Sequence, residues 1–419
     1  MRRAVLFLVF LFIVMNGGCS LGSEAFPQNL LRSQSFLEEY DVQPEYVMSE
    51  NTFYNDHSVY YTCMNDWLYY YDTKTGSGGK VCGKAECNHD TDSCNAYLGE
   101  GVSGVQVYDG KLYWLVLSFG GVNETIPEIY RSDPNGENRE RYRVLEGNAS
   151  IGNCRFYIHR GSVYVGFVAG AVEAGDVENE LRITRYSMEN PDDPGEEVLT
   201  QPGPYSTIGC WCRFYRDKLY IRVRNPLSLE ERPTPYQDDL YVYDMVDKEL
   251  RNIWSDQVSN SMRDATMTES GLEFLNYRTT GDHIFVNTED QWPVWRSEYS
   301  FETGEMKSEE EHAMDPGYTV VYWVEGHYIA FRSTWIGEEE KASYRIYDES
   351  WTVLGEGELE GSPYIIGADE KGILLQTGVG MPKTGLYRIP WDNPSVMETL
   401  IQADTRAMSD GVLISRERV

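Results

Sequence analysis

An all-β fold, a single β-propeller of about seven four-stranded blades, is what three features of this 419-residue chain predict. The first is composition: 13% of the residues are aromatic, among them 31 Tyr and 10 Trp. Such side chains suit a pleated, half-buried surface, and no long helical apolar period follows the leader. The second is a unit of short period-two strands and tight turns, plainest from Val105 to Leu145. There Val105, Val107, Leu112, Trp114 and Val116 alternate around an Asp109-Gly110 turn, and Asp133-Pro134-Asn135-Gly136 supplies a second turn. The third is repetition. A lone meander with apolar residues on both faces cannot bury them, and copies recur about every 45 to 60 residues, as blades stacked around an axis would. A radial repeat also tolerates a length beyond the usual single-core size, because each unit packs only on its neighbours.

In chain order, residues 1–18 carry Arg2 and Arg3, an apolar run from Ala4 to Met15, and Gly17-Gly18. So short a run before small residues predicts an export signal peptide rather than a membrane span. The Gly17-Gly18-Cys19-Ser20 end resembles a bacterial lipobox, which implies lipidation of Cys19 as the first mature residue. Asn16 departs from the usual apolar residue three places earlier, and plain secretion is the alternative. Either way the mature chain is expected outside the cytoplasm. Residues 19–50 read as a lipidated N-terminus and a tether without fixed structure, the one helical pattern spanning Asn29 to Glu39.

The propeller is expected over residues 51–419. Its first copy, SVYYTC, WLYYYDTKTG and KVC, covers 58–82, and the second covers 105–145. Further copies occupy 154–200, 212–254, 272–310, 318–359 and 364–402. Residues 405–419 hold one more turn and apolar strand, half a blade that would close the ring by completing the first blade. Residues 51–55 are an alternative source of that inner strand, which would make the count eight; six is the other alternative.

A formal net charge of −31 repels phosphate backbones and anionic headgroups, which excludes nucleic acid as a partner. Turns between first and second strands are minimal, at Asp109-Gly110, Arg160-Gly161, Arg216-Asp217, Gly281-Asp282 and Glu325-Gly326. Connections between second and third strands are long, over 118–127, 169–180, 225–238, 287–293, 333–342 and 377–384. These leave from the same rim as the blade-to-blade links, so one face is trimmed and the other is built of loops, where binding residues usually sit. Trp292, Trp335 and Tyr236 are the candidate ligand-binding residues there, flat enough to stack on a sugar ring or clasp a peptide.

The pattern Cys82-x4-Cys87-x-His89-x4-Cys94 is the most distinctive local feature, three thiols and an imidazole within about a dozen residues. Structural zinc, a disulfide-stapled loop and free thiols are all open readings. If Cys19 is lipidated and a metal takes three thiols, Cys63, Cys154, Cys210 and Cys212 remain as an even set. His57, His159, His283 and His327 lie beside first hairpin turns of different blades and read as solvated turn residues. No nucleophile elbow, His-Glu-x-x-His or phosphate-cradling loop is present, so no catalytic residue is assigned.

The repeat wording, a tyrosine-rich strand, a tight turn and Leu-Tyr-x-Tyr-Asp-x-x-Thr-Gly as at Leu68 to Gly76, resembles the TolB-like propellers of exported bacterial proteins. The leader ending Gly-Gly-Cys, coupled to the cysteine pattern after the first blade, is similar to that of β-propeller lipoproteins of anaerobic monoderm bacteria. The resemblance implies fold and location and transfers no catalytic residue. The expectation is an exported, membrane-anchored monomer that binds a protein or glycan partner at the cell envelope through its long-looped face, without chemistry. A propeller-type carbohydrate-active enzyme, glycosidase or lyase, is the rival, and would need converging acids at the channel. An envelope assembly scaffold is a third reading, and fold alone does not choose.

Overall fold

Alternation along each repeat places apolar side chains on both faces of every sheet, so the sheets stack face to face as a closed ring of seven blades. The computed structural model describes residues 26–402 apart from 27, 38–39, 42–51, 55–58, 65, 100, 122–123, 146–153, 171–178, 191, 204–208, 229–234, 259–260, 269, 278–292, 316, 319, 337–338, 361–362 and 378–384. The first blade is Thr52–Tyr54, Val59–Met64, Trp67–Asp72 and Ser77–Lys80, and the second is Val102–Tyr108, Lys111–Gly121, Glu124–Ser132 and Glu140–Val144. The third is Arg155–His159, Ser162–Gly170, Asn179–Ser187 and Glu196–Gly203, and the fourth is Gly209–Tyr215, Lys218–Pro226, Tyr236–Asp244 and Glu249–Val258. The fifth is Ser261–Met267, Gly271–Tyr277, Pro293–Ser300 and Met306–Ser308, with His312–Ala313 as a short addition on its third strand. The sixth is Val320–Val324, His327–Ile336, Glu339–Tyr347 and Val353–Glu360, and the seventh is Pro363–Asp369, Gly372–Thr377, Gly385–Pro390 and Glu398–Gln402.

Seven apolar clusters hold the ring among the described residues, and each straddles one pair of neighbouring blades. The pair that closes the circle is the seventh and first, where Ile366, Leu374 and Leu386 pack on Trp67, Tyr69 and Tyr71. Thr62 Oγ1 donates to Gln376 Oε1 at 2.7 Å across the same seam. Thr52–Tyr54 supplies the first blade's inner strand, the place expected for the C-terminal half blade. That half blade, residues 405–419, lies outside the described residues.

Tight turns set the trimmed face. Asp109-Gly110, Arg160-Gly161 and Glu325-Gly326 each have both residues at positive φ, 47° and 66°, 40° and 76°, and 45° and 76°. This is the two-residue hairpin turn whose twist matches that of the strands it joins. On the opposite face the structure corrects the loop expectation. Residues 118–127 and 333–342 are largely strand, with Gly121 opposite Glu124 and Ile336 opposite Glu339. The inner strand of the sixth blade ends its pairing at Phe331, so residues 332–336 overshoot it by about 16 Å at ~3.3 Å per residue. At these two connections hairpins rather than irregular loops build up this face, because Ser-Thr-Trp-Ile and its partner can continue the ladder where a true loop would leave backbone groups unpaired.

A second correction concerns the tether. Phe26, a short helix Gln28–Leu31 and the chain to Asp41 form a strap docked across the trimmed-face turns of the second, third and fourth blades. Arg160 holds it. Its Nε and Nη2 donate to the two carboxylate oxygens of Asp41 at 2.6 Å each, Nη1 donates to the carbonyls of Leu31 and Ser33 at 2.9 Å, and Nη2 also donates to Ser35 O at 3.2 Å. All five guanidinium N–H groups thus serve the strap. Phe26 lies so close over Gly161 that a Cβ there would meet it at 2.4 Å. Tyr40 packs edge-on between Phe26 and Tyr108. The strap also covers His159, expected as a solvated turn residue, leaving it 1% exposed.

His159 stacks on Phe214 at 4.6 Å, donates from Nε2 to Arg216 O at 2.7 Å, and lies 3.7 Å from Asp41. Burial pushes its pKa down to about 4 from 6.5, opposed by Asp41 and Asp217 and aided by Arg160. The unfolded chain therefore takes up the proton first, so this contribution is complete above about pH 6.5 and is lost as pH falls toward 4, on the order of 3 kcal/mol. Urea midpoints at pH 7 and 4.5 check this, and His159→Gln, which can still donate to Arg216 O, should flatten the difference. Asp41→Ala strands the buried guanidinium and should cost about 3 to 5 kcal/mol in denaturant unfolding. By contrast Arg32→Ala, at the exposed bridge to Asp247, should change stability by less than about 1 kcal/mol.

Candidate metal centre and candidate binding face

Three successive turns gather the soft donors that follow the first blade. Cys87 N–H donates to Lys84 O at 3.2 Å, Cys94 N–H to Thr91 O at 3.0 Å, and Tyr97 N–H to Cys94 O at 3.1 Å. His89 takes a left-handed φ of 58°, and Lys80 Nζ donates to its carbonyl at 2.6 Å. In consequence the ligand atoms of Cys82, Cys87, His89 and Cys94 all lie within 4.8 Å of one another, with His89 Nδ1 3.4 Å from Cys94 Sγ. A tetrahedral shell with metal–sulfur bonds of about 2.3 Å places its donors roughly 3.8 Å apart. The cluster could bind a metal such as zinc, and its donor set fits one.

Backbone donors reinforce that fit. Burial works to raise the Cys82 thiol, yet hydrogen bonds from the backbone of Lys84 and Asn95 and from the neighbouring thiols outweigh it, holding Cys82 below its ordinary value. His89 N–H donates to Cys87 Sγ at 3.4 Å. Cys94 is pushed up to about 12 by burial and by Cys87 and Cys82, which a cation among the three sulfurs would reverse. Cys82, Cys87 and Cys94 stand as free thiols. Cys63, Cys154 and Cys212 are buried in three different interblade clusters, so they do not pair with one another.

The loop clamps two blades. Leu68 N–H donates to Ala96 O at 2.7 Å and Leu98 N–H to Asp66 O at 2.8 Å, tying it to the first blade. Toward the second blade, Gly83 N–H donates to Asn135 O at 3.0 Å, and the Arg139 guanidinium donates to the carbonyls of Tyr97 and Leu98 at 2.5 and 2.9 Å.

The candidate aromatics sit apart from this centre. Tyr236 is half-buried and opens the third strand of the fourth blade, opposite Pro226 and Val258. Trp335 belongs to the sixth blade, in a strand opposite Glu340 rather than in a loop. Trp292 lies outside the described residues. Sequence reasoning missed a buried charge cluster in the fourth blade, whose only signal is the Arg222-Val223-Arg224 alternation in an apolar strand. Arg222 and Arg224 share Asp238, at 2.6 and 2.8 Å. Burial and Arg222 press the Arg224 pKa down to about 10, whereas the two guanidiniums overcome burial and hold Asp238 below the usual carboxylate range. Arg222 also covers the Phe274 ring at 4.1 Å and lines a cleft of about 290 Å³ between the fourth and fifth blades, with Trp254, Asn276, Trp295 and Ser297. In that cleft Asp256 is the one carboxylate lining residue among those described, so no acid pair of the kind hydrolysis needs faces across it.

No protein-family model and no curated protein matches the chain. Among solved structures, an oligogalacturonate lyase in complex with manganese is similar at 10% identity and TM-score 0.45, over 86% of this chain and 89% of that one. The β-propeller domain of the Trilobed protease from Pyrococcus furiosus is similar at 11% identity and TM-score 0.44, over 84% and 94%. The tricorn protease is similar at 13% identity and TM-score 0.33, over 82% and 42%.

The geometry of the thiol cluster predicts one zinc per chain in native mass spectrometry, released on acid denaturation. Chelation should lower the melting temperature and open Cys82, Cys87 and Cys94 to alkylation while Cys63, Cys154 and Cys212 stay protected. Cys94→Ser should weaken metal retention at least about tenfold.

Proposed function

We propose that this chain is an exported, lipid-anchored β-propeller, akin to TolB-like propeller lipoproteins, that binds a protein or glycan partner through its hairpin-walled face and does no chemistry. The observation that carries this reading is the inequality of the two faces. One is reduced to two-residue turns at the second, third and sixth blades, and the strap overlies it from the second to the fourth blade. From the other, the second and third strands of the second and sixth blades run on past the inner strands as standing hairpins. Projections on a rigid scaffold make a recess in which a partner can be held at several points, at low ordering cost. The zinc-closed loop has a structural part in this proposal. With four protein donors it keeps no open position for a substrate, and it locks the first blade to the second.

A glycan and peptide array with the ectodomain tests partner class, and binding confined to one class decides between glycan and protein. Replacing residues 119–125 and 334–341 by two-residue turns should abolish that binding, while the melting temperature stays within a few degrees because those residues lie beyond the inner strands and leave Pro127 and Ala342 in place. Binding unaffected by both truncations would remove the hairpin face from the reading. Cys19→Ser should move the protein from the membrane fraction to the medium.

A further inference from the structure

We infer that the strap fixes the orientation of the disc on the membrane: the trimmed face lies against the lipid surface and the hairpin-walled face points away from it. This rests on the proposed lipidation of Cys19. Phe26, seated on Gly161, is the first described residue of the chain and lies seven positions after Cys19. Even fully extended, that stretch spans no more than about 25 Å.

The strap cannot lengthen the leash by peeling away at low cost. Arg160 is wholly buried and Asp41 nearly so, the guanidinium makes five bonds to strap atoms, and Phe26 and Leu31 belong to the apolar cluster between the third and fourth blades. A lipid anchor therefore pulls on a point built into the turn face. The proposed partner gains from this placement, since the hairpins are presented outward.

The test uses the two ends of one strand, Lys111–Gly121 of the second blade. A short epitope is inserted in full-length, lipidated protein either between Asp109 and Gly110, in the trimmed-face turn, or between residues 122 and 123, at the hairpin tip. An antibody fragment is then titrated against each protein on phosphatidylcholine vesicles and against its Cys19→Ser form free in solution. The turn epitope should bind roughly tenfold more weakly on vesicles than in solution, because the gap left by a leash of about 25 Å is too narrow for the fragment. The hairpin epitope should bind equally in both settings. Inserting about thirty Gly/Ser residues between Gly22 and Ser23 leaves the fold untouched and should restore the turn epitope on vesicles.

Equal binding of both epitopes on vesicle-bound protein overturns the orientation, as does shielding that survives the long linker. A chain that carries no lipid and does not float with vesicles removes the anchor itself, an outcome read from flotation and mass before any antibody is added.

Discussion

Every blade is apolar on both sides, and this one constraint accounts for most of the molecule. A sheet of four short strands with Tyr, Trp, Ile and Val on each face cannot be stable alone, because half its apolar area would stay in water. Stacking solves the problem only if the stack has no ends, and a ring has none. The seven clusters found here are the seven places where that requirement is met, and the seam between the seventh and first blades is packed like the others. Among the described residues the seventh and first blades meet through side chains, with Thr52–Tyr54 in the first blade's inner position.

Among the described residues, several charges buried in the ring are paired with an opposite charge, whereas the Arg143 guanidinium is held by backbone carbonyls. Arg160 with Asp41, Arg222 and Arg224 with Asp238, and Arg388 with Asp369 are each almost fully buried. Such pairs add little net stability relative to apolar substitutes, but breaking one is costly. They act as specifiers of position: Arg160 admits one arrangement of the strap, since its five donors match five acceptors on that segment.

The thiol loop follows a different logic. The link from Val81 to Gly101 is ordered by burial of Val81, Cys94, Ala96 and Leu98 in the clusters beside the first blade and by hydrogen bonds to both neighbouring blades. Four convergent donors could add a metal cross-link to this, and the backbone N–H groups aimed at Cys82 hold its thiol below the ordinary value. Because the loop is bonded to both the first and second blades, order in the loop is order at their junction.

By itself the sequence determined the ring. Period-two alternation and paired-residue turns are local properties, so the repeating blades and the two-residue turns of the second, third, fourth and sixth blades were legible in the chain. The repeats leave the count between six and eight, and Gly281-Asp282, which reads as a first hairpin turn, falls instead between the second strand Gly271–Tyr277 and the third strand Pro293–Ser300 of the fifth blade. The Cys82, Cys87, His89 and Cys94 cluster was legible too, because its donors are close along the chain. What only the tertiary structure decided depends on residues far apart in sequence. Nothing in the polar segment before residue 50 marks it as docked, because its partner, Arg160, lies 119 positions from Asp41 and was legible only as a turn residue. His159 looked solvated for the same reason. Residues 118–127 and 333–342 were read as loops because alternation fades there, yet in each the second and third strands of one blade keep pairing, to Gly121 opposite Glu124 and to Ile336 opposite Glu339. Local pattern records which face of a strand is buried; it does not record which distant segment will cover a turn.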